Sequence, residues 1–88
     1  MTEQLDKALD YFKKGDYKSS IDVFSSILEH EEDNAEIYNN MGLAYAKLGD
    51  FEHAEKSYTK SIKIDPLIPQ TYINLSDLYY KYVSNNFS

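Results

Sequence analysis

A period of 34 residues is the feature of this sequence that most constrains its fold. The triplet Gly15-Asp16-Tyr17 recurs 34 residues later as Gly49-Asp50-Phe51, and the same step relates Lys13 to Lys47 and then to Lys81. Self-similarity with a period of about 20–50 residues is typical of stacked supersecondary units. The chain is therefore predicted to be a single domain, residues 1–88, built from repeated units.

The recurring triplet predicts a helix, a tight turn and a second helix in each unit. Gly15 and Gly49 suit the left-handed backbone conformation that ends a helix. Asp16 and Asp50 follow these glycines, and their carboxylates can accept hydrogen bonds from the free amides at the start of the next helix. Each unit should therefore be an antiparallel helical hairpin.

Proline and apolar spacing complete the helix assignment. Pro66 cannot continue a helix, whereas Pro69 suits the first turn of a new one. Apolar residues recur at spacings of three and four between these signals, as in amphipathic helices. We predict an all-α fold of five helices, at about 2–14, 17–30, 35–48, 51–64 and 69–83. Repeat 1 would cover 1–34, repeat 2 would cover 35–68, and a half repeat or capping helix would cover 69–88.

Aromatic residues are numerous, and their spacing favours a core rather than a ligand pocket. Small residues occur where two helices must approach closely, at Ala8, Gly42 and Ser76 on first helices and at Ser20 and Ala54 on second helices. Large rings at helical spacing usually fill the adjacent spaces. We therefore expect most of the nine Tyr and four Phe to pack internally.

Composition excludes several classes of function. A net charge of −6 without any arginine argues against a nucleic-acid-binding surface, which needs a dominant basic face. No apolar run approaches the roughly 18 residues that span a bilayer. The absence of cysteine excludes disulfides and thiolate chemistry, and the amino-terminal residues do not resemble a secretory signal, so we expect a cytoplasmic protein.

Catalysis and metal binding are not indicated. His30 and His53 are the only imidazoles, and neither has a nucleophile or a metal-ligand pattern beside it, so we expect no enzyme and no cofactor. The acidic run from Glu29 to Asp33 could bind a cation, but a solvated turn between two helices is the preferred interpretation.

The segment Ala35–Pro66 resembles a tetratricopeptide repeat. Residues typical of the family occur at its spacing, namely Tyr38, Met41, Gly42, Tyr45, Ala54, Tyr58, Ser61 and Pro66. The first unit matches more loosely, through Ala8, Tyr11 and Phe24, and the third matches through Tyr72, Leu75, Ser76 and Tyr79. The resemblance implies a right-handed α-solenoid of about two and a half repeats.

The resemblance also implies a protein-interaction adaptor without catalytic activity. In this family the first helices of successive repeats line a concave groove that binds a peptide or a helix of a partner. The implied groove residues are Lys13, Asn39, Asn40, Leu43, Lys47, Asn74, Asp77 and Lys81. Asp6, Asn40 and Asn74 form a polar ladder that could hold a peptide backbone, and the lysines form a ladder that would favour an acidic partner. The alternative is that both ladders are ordinary solvated side chains.

Some members of the family bind chaperone tails through a carboxylate clamp of lysine, asparagine and arginine. The corresponding residues here are Leu5, Leu9, Asn40, Gln70 and Asn74, of which only Asn40 matches the clamp. Because the cations are missing, a terminal carboxylate would lack charge-assisted hydrogen bonds. We therefore expect no clamp-type binding.

The last helix offers a second surface. It carries more apolar side chains than one inner face requires, namely Ile73, Tyr80, Tyr82, Val83 and Phe87. Exposed apolar patches often mark interaction sites. The second hypothesis is therefore self-assembly into a homodimer or a swapped oligomer through this carboxyl-terminal helix.

Overall fold

Residues 2–87 fold into five α-helices connected by short loops. The computed structural model describes residues 2–87, and the side chains of residues 3–86. The helices are α1 (Thr2–Lys13), α2 (Tyr17–Leu28), α3 (Ala35–Lys47), α4 (Phe51–Ile64) and α5 (Pro69–Phe87). The predicted all-α fold of five helices is confirmed. The last helix was predicted to end at about 83, and it continues to Phe87, because no glycine or proline interrupts α5 before that residue.

Both tight turns have the geometry that their glycines predict. Gly15 has a φ of +84° and Gly49 a φ of +80°. At the second turn, the Gly49 amide donates to the Ala46 carbonyl at 3.0 Å and the Asp50 amide donates to the Tyr45 carbonyl at 3.0 Å. This pair of bonds satisfies carbonyls at the end of α3 that the helix leaves free. A side chain with a Cβ would be strained at this φ.

Polar side chains cap the starts of three helices. Asp16 Oδ1 accepts from the Ser19 amide at 3.2 Å, and Asp50 Oδ1 accepts from the His53 amide at 3.2 Å, as the sequence predicts. Asn34 caps α3 in the same way and accepts from the Ile37 amide at 3.1 Å. Each cap satisfies an amide that has no partner within its helix and stabilises the helix by about 1 kcal/mol.

Two apolar clusters hold the helices together. The first lies among α1, α2 and α3 and includes Ala8, Phe24 and Ile37. The second lies among α3, α4 and α5 and is built on Ala54, Tyr58 and Leu78. Tyr45 of α3 packs against both clusters, so the core is continuous along the stack.

Gly42 allows α3 and α4 of the second hairpin to approach closely. A Cβ at this position would lie 2.5 Å from Cε1 and 2.6 Å from Cδ1 of Tyr58, whose side chain is completely buried. In repeat 1 the corresponding positions hold Ala8 and Phe24, both fully buried. The prediction that small residues and rings interlock is therefore confirmed for these two hairpins.

The fifth helix is attached to α4 by hydrogen bonds and ring contacts. The Ser61 hydroxyl donates to the Ala35 carbonyl at 2.8 Å and lies 3.3 Å from the Thr71 hydroxyl. Near the other end of α5, Tyr79 donates to Glu55 at 2.5 Å and its ring lies 5.8 Å from that of Phe51.

The aromatic side chains of α5 differ from the prediction that most rings are internal. Phe24 and Tyr58 are completely buried, but four tyrosines of α5 are 41–74% exposed. The reason is that α1 and α3 each pack against a following helix, whereas in the described chain no sixth helix covers the corresponding face of α5.

Candidate functional site

A groove lies between α3 and α5, the first helices of neighbouring units. Its cavity has a volume of about 130 Å³. From α3 come Leu43, Ala46 and Lys47, from α5 come Asn74, Asp77, Leu78 and Lys81, and Tyr58 of α4 forms the floor. Five of the predicted groove residues therefore line one cavity, namely Leu43, Lys47, Asn74, Asp77 and Lys81. Asn39 and Asn40 lie on α3 beyond this cavity, and Lys13 lies exposed at the end of α1.

Asparagine side chains connect the two walls of the groove. Asn74 Nδ2 donates to Asn39 Oδ1 at 3.1 Å, which joins α5 to α3, and Gln70 Nε2 donates to Asn74 Oδ1 at 3.0 Å. Asn39 and Asn74 are both buried, whereas Asn40 is half-buried and Asp6 is exposed. An asparagine side chain has two N–H donors, so Asn74 keeps one donor for a ligand. The three members of the polar ladder are therefore unequal, with Asn40 the more accessible amide.

The lysines of the groove lack carboxylate partners. The ion pairs among the described residues are Lys14 with Asp10 and His53 with Asp50, so neither Lys47 nor Lys81 is paired. Asp77 is the acidic side chain that shares the groove cavity with them. The charged lining is therefore net positive by one, in a chain whose net charge is −6. This local positive charge would attract an anionic ligand.

The groove floor is electrically neutral at physiological pH. Burial raises the pKa of Tyr58 well above the ordinary value of 10.0, and the nearby Asp77 carboxylate raises it further. Both effects disfavour the phenolate. The tyrosine at the floor therefore adds no negative charge to a cavity that Lys47 and Lys81 also line.

This shift in the pKa of Tyr58 predicts that the folded chain is less stable at alkaline pH. Because the folded chain holds the pKa above 10.0, the stabilisation is complete below that pH and is lost as pH rises through the folded value. Unfolding followed by circular dichroism should shift to a lower denaturant midpoint above pH 10 for the wild type. Tyr58→Phe should show a smaller shift, although not zero, because the pKa of Tyr45 is raised by burial and that of Tyr79 by its hydrogen bond to Glu55. Identical pH dependence in both proteins would contradict this assignment.

The other cavities and side-chain clusters give weaker support for a functional site. A cleft of about 670 Å³ lies at the opposite end of α3, where Glu31, Asp33, Glu36 and Asp65 contribute to its walls. Within residues 2–87, no group of three His, Cys, Asp or Glu side chains is arranged to hold a metal ion. His30 and His53 are both exposed, and His53 Nδ1 lies 2.7 Å from the carboxylate of Asp50. In the part of the chain that is described, no helix has the length and apolar character needed to cross a bilayer.

The predicted self-association patch is only partly open. Ile73, Tyr80 and Val83 are 52%, 74% and 53% exposed. Tyr82 instead packs against Phe51 with ring centroids 4.3 Å apart. The side chain of Phe87 lies outside the described residues. The open patch therefore consists of Ile73, Tyr80 and Val83, on the part of α5 that no other helix of residues 2–87 covers.

Two parts of the site were not predicted from the sequence. Gln70 supports Asn74, but a glutamine four residues from an asparagine on a helix is too common to be a signal. The last residues of α5, including Asn85 and Asn86, line a second cavity beside the groove. They were missed because the helix was predicted to end at 83. The lack of any proline or glycine after that residue was the available signal.

Comparison with known proteins identifies the repeats directly. The tetratricopeptide repeat model matches residues 35–66, and a TPR repeat model matches residues 8–49. The two matches overlap and together cover the described helices from α1 into the turn after α4.

Several characterised proteins are similar over part of their length. Stress-induced-phosphoprotein 1 of Caenorhabditis elegans is 30% identical over 71 residues, which are 81% of this chain and 22% of that protein. Neutrophil cytosol factor 2 of Bos taurus is 34% identical over 68 residues, or 77% of this chain and 12% of that protein. Human serine/threonine-protein phosphatase 5 is 36% identical over 59 residues, or 67% of this chain and 12% of that protein. The chain therefore spans about a fifth or less of these relatives.

A solved structure has the same fold. The second TPR of Spaghetti (RPAP3), bound to the HSP90 peptide SRMEEVD, superposes with a TM-score of 0.86 at 24% sequence identity. The superposition covers 97% of this chain and 79% of that one. All five helices therefore follow the arrangement of a known helical-repeat domain.

Proposed function

Because the chain belongs to the tetratricopeptide repeat family, we propose that it is a non-catalytic protein-interaction adaptor whose concave groove binds a peptide or helix of a partner. One observation carries this proposal: α3 and α5 enclose a cavity with an apolar floor and two unpaired lysines at its wall. Such a surface offers apolar contact and charge without a catalytic group. Lys13, Asn40 and Asn39 would extend the same surface along α1 and α3.

An acidic ligand fits the charges of this groove. Lys47 and Lys81 contribute two positive charges against the one negative charge of Asp77. Each exposed ion pair is worth only about 0–1 kcal/mol, so the lysines would select and orient a partner more than they would tighten binding.

The test of this proposal is a pull-down with charge-reversed baits. The double variant Lys47→Glu/Lys81→Glu should capture at least about 10-fold less partner from extracts of the native source than the wild type captures. The matched control carries Lys60→Glu and Lys63→Glu, on exposed positions of α4 with the same change of charge. If both variants lost the partner equally, or if the groove variant still captured it, the groove would not be the binding surface.

We propose that binding occurs without a carboxylate clamp. The clamp positions hold Leu5, Leu9 and Gln70, which carry no positive charge, and Asn74 already bonds Asn39 and Gln70. A terminal carboxylate there would gain no charge-assisted hydrogen bond from a lysine or arginine. The RPAP3 domain binds an HSP90 peptide, but at 24% identity that likeness concerns the fold alone.

Calorimetry with the peptide SRMEEVD tests this point. We expect no micromolar binding to the wild-type chain, because the charged hydrogen bonds that such a peptide requires are absent. The double variant Leu5→Lys with Gln70→Lys restores two clamp cations and should bind more tightly than wild type. Micromolar binding to the wild type that Asn40→Ala abolishes would contradict the proposal.

Self-assembly is the second candidate function, and the exposure of Ile73, Tyr80 and Val83 favours it. We propose that a second copy of the chain covers this open patch. Asp77 and Lys81 are the only charged residues from Leu67 to Ser88, so this end escapes most of the repulsion between two chains of net charge −6. Light scattering should then show a mass that rises with concentration and reverts to the monomer mass in Tyr80→Glu. A monomer mass at every concentration would exclude this candidate.

A cytoplasmic setting is part of the proposal. It is supported by the absence of cysteine, since small domains of oxidising compartments commonly depend on disulfides.

A further inference from the structure

A second cavity adjoins the groove at the carboxyl-terminal ends of α3 and α5. It has a volume of about 250 Å³ and shares Ala46, Leu78 and Lys81 with the groove cavity. Its other walls come from the turn after α3 and from the end of α5, namely Gly49, Phe51, Tyr82, Asn85 and Asn86. We call this cavity the end pocket. The groove and the end pocket together form one continuous lining, with Lys81 at their junction.

Two of the residues of α5 that lie beyond the predicted helix, Asn85 and Asn86, form one wall of the end pocket. α3 ends at Lys47 and Gly49 turns the chain at a φ of +80°, so Phe51 begins α4 beside the turn. α5 continues to Phe87 and passes this turn. The Tyr82 ring packs on Phe51 at 4.3 Å, and Asn86 Nδ2 donates to the Tyr82 carbonyl at 2.8 Å. The wall is therefore held in place by the helix and by ring packing.

The size of the end pocket matches one large apolar side chain. An apolar protein cavity of about 150 Å³ holds benzene. The end pocket, at about 250 Å³, has room for a phenyl or indole ring, and the groove cavity, at about 130 Å³, is smaller than the cavity that holds benzene. Phe51, Leu78 and Tyr82 supply apolar contact, and Asn85 and Asn86 supply a polar rim.

We propose that the end pocket receives an aromatic or leucine side chain of a linear peptide whose neighbouring acidic residue lies against Lys81 and Lys47. This inference rests on the proposed groove function and adds its sequence specificity. The charge of the lining supports the acidic neighbour: Lys47, Lys81 and Asp77 are the charged residues of the two cavities, a net charge of +1. The partner class is therefore a peptide that combines an acidic residue with one adjacent bulky apolar residue.

The experiment starts from a randomised peptide library displayed on phage and selected on the full chain. The selected peptides should combine aspartate or glutamate with an adjacent Trp, Phe or Leu. A synthetic peptide with tryptophan at that position is then titrated by fluorescence, since the chain has no tryptophan of its own. Its emission should shift to shorter wavelength on binding. Replacing that tryptophan by alanine should weaken binding by at least about 10-fold, because the buried apolar contact is lost.

Two protein variants separate the end pocket from the groove. Asn85→Phe fills the end pocket from an exposed position, and Thr59→Phe makes the same change on the exposed face of α4. The tryptophan peptide should lose about 10-fold in affinity for Asn85→Phe and none for Thr59→Phe. The end-pocket proposal would be overturned if the alanine peptide bound the wild type as tightly as the tryptophan peptide does and if Asn85→Phe kept its affinity for the tryptophan peptide. If Lys47→Glu/Lys81→Glu still lost affinity in that case, the groove proposal would stand. A library without any enriched acidic peptide would contradict both proposals.

Discussion

Replacement of Tyr58 by alanine is expected to lower the free energy of unfolding by about 3–5 kcal/mol, as for other large aromatic side chains removed from protein cores. Tyr58 is completely buried, meets Gly42 of α3, and packs with Ala54 and Leu78. Domains of this size have a total stability of only about 5–15 kcal/mol. Thermal denaturation should therefore show a Tm more than about 10 °C below that of the wild type.

The matched control is Tyr80→Ala on α5. Tyr80 is 74% exposed, so its removal should change stability by no more than about 0.5 kcal/mol. Equal losses in the two variants would show that Tyr58 is not the centre of the second cluster. A large loss in Tyr80→Ala alone would point to a partner helix or a second copy covering α5 in solution.

Gly42→Leu is expected to destabilise the chain by about 3 kcal/mol or more, through overpacking rather than through a cavity. The first atom of any side chain would already lie 2.5 Å from the Tyr58 ring, and the Tyr58 side chain is completely buried. Gly42→Ala should also destabilise, although the better helix propensity of alanine offsets about 1 kcal/mol of the cost. Chemical denaturation of the three proteins measures both differences.

Ser76 offers a control at the same position of the repeat. It lies 34 residues after Gly42, on the exposed face of α5, where no following helix approaches in the described chain. Ser76→Ala should be neutral or slightly stabilising, because only helix propensity changes there. In a Tyr58→Leu background, Gly42→Ala should become less harmful, since the ring that collides with the Cβ has been removed. A Gly42→Leu variant with the same Tm as the wild type would contradict the close packing of α3 and α4.

The sequence was sufficient to predict the helices because the same local signals occur twice. Gly15 and Gly49 each end a helix, and Asp16 and Asp50 each cap the next one. These signals act within a few residues and need no knowledge of tertiary structure. The close contact of Gly42 with Tyr58 was also predictable, because a small residue and a ring at the family spacing imply it.

The details of the groove depend on contacts that local signals do not encode. Asn39 and Asn74 are 35 residues apart, and only the relative position of α3 and α5 brings their amides to 3.1 Å. Both belonged to the predicted groove, yet much of their hydrogen-bonding capacity is used internally. The length of α5 was also underestimated, because nothing in the sequence marks where a helix without a following partner should stop.

Backbone chemical-shift mapping of the isotope-labelled chain with a selected acidic peptide tests the central claim most directly. A ligand in the concave groove should perturb the amides of Asn40, Leu43, Lys47 and Lys81, and leave Lys60 and Lys63 on the exposed face of α4 unchanged. Perturbations confined to α4, or to Ile73 and Tyr80 of the open patch, would contradict the groove as the binding surface.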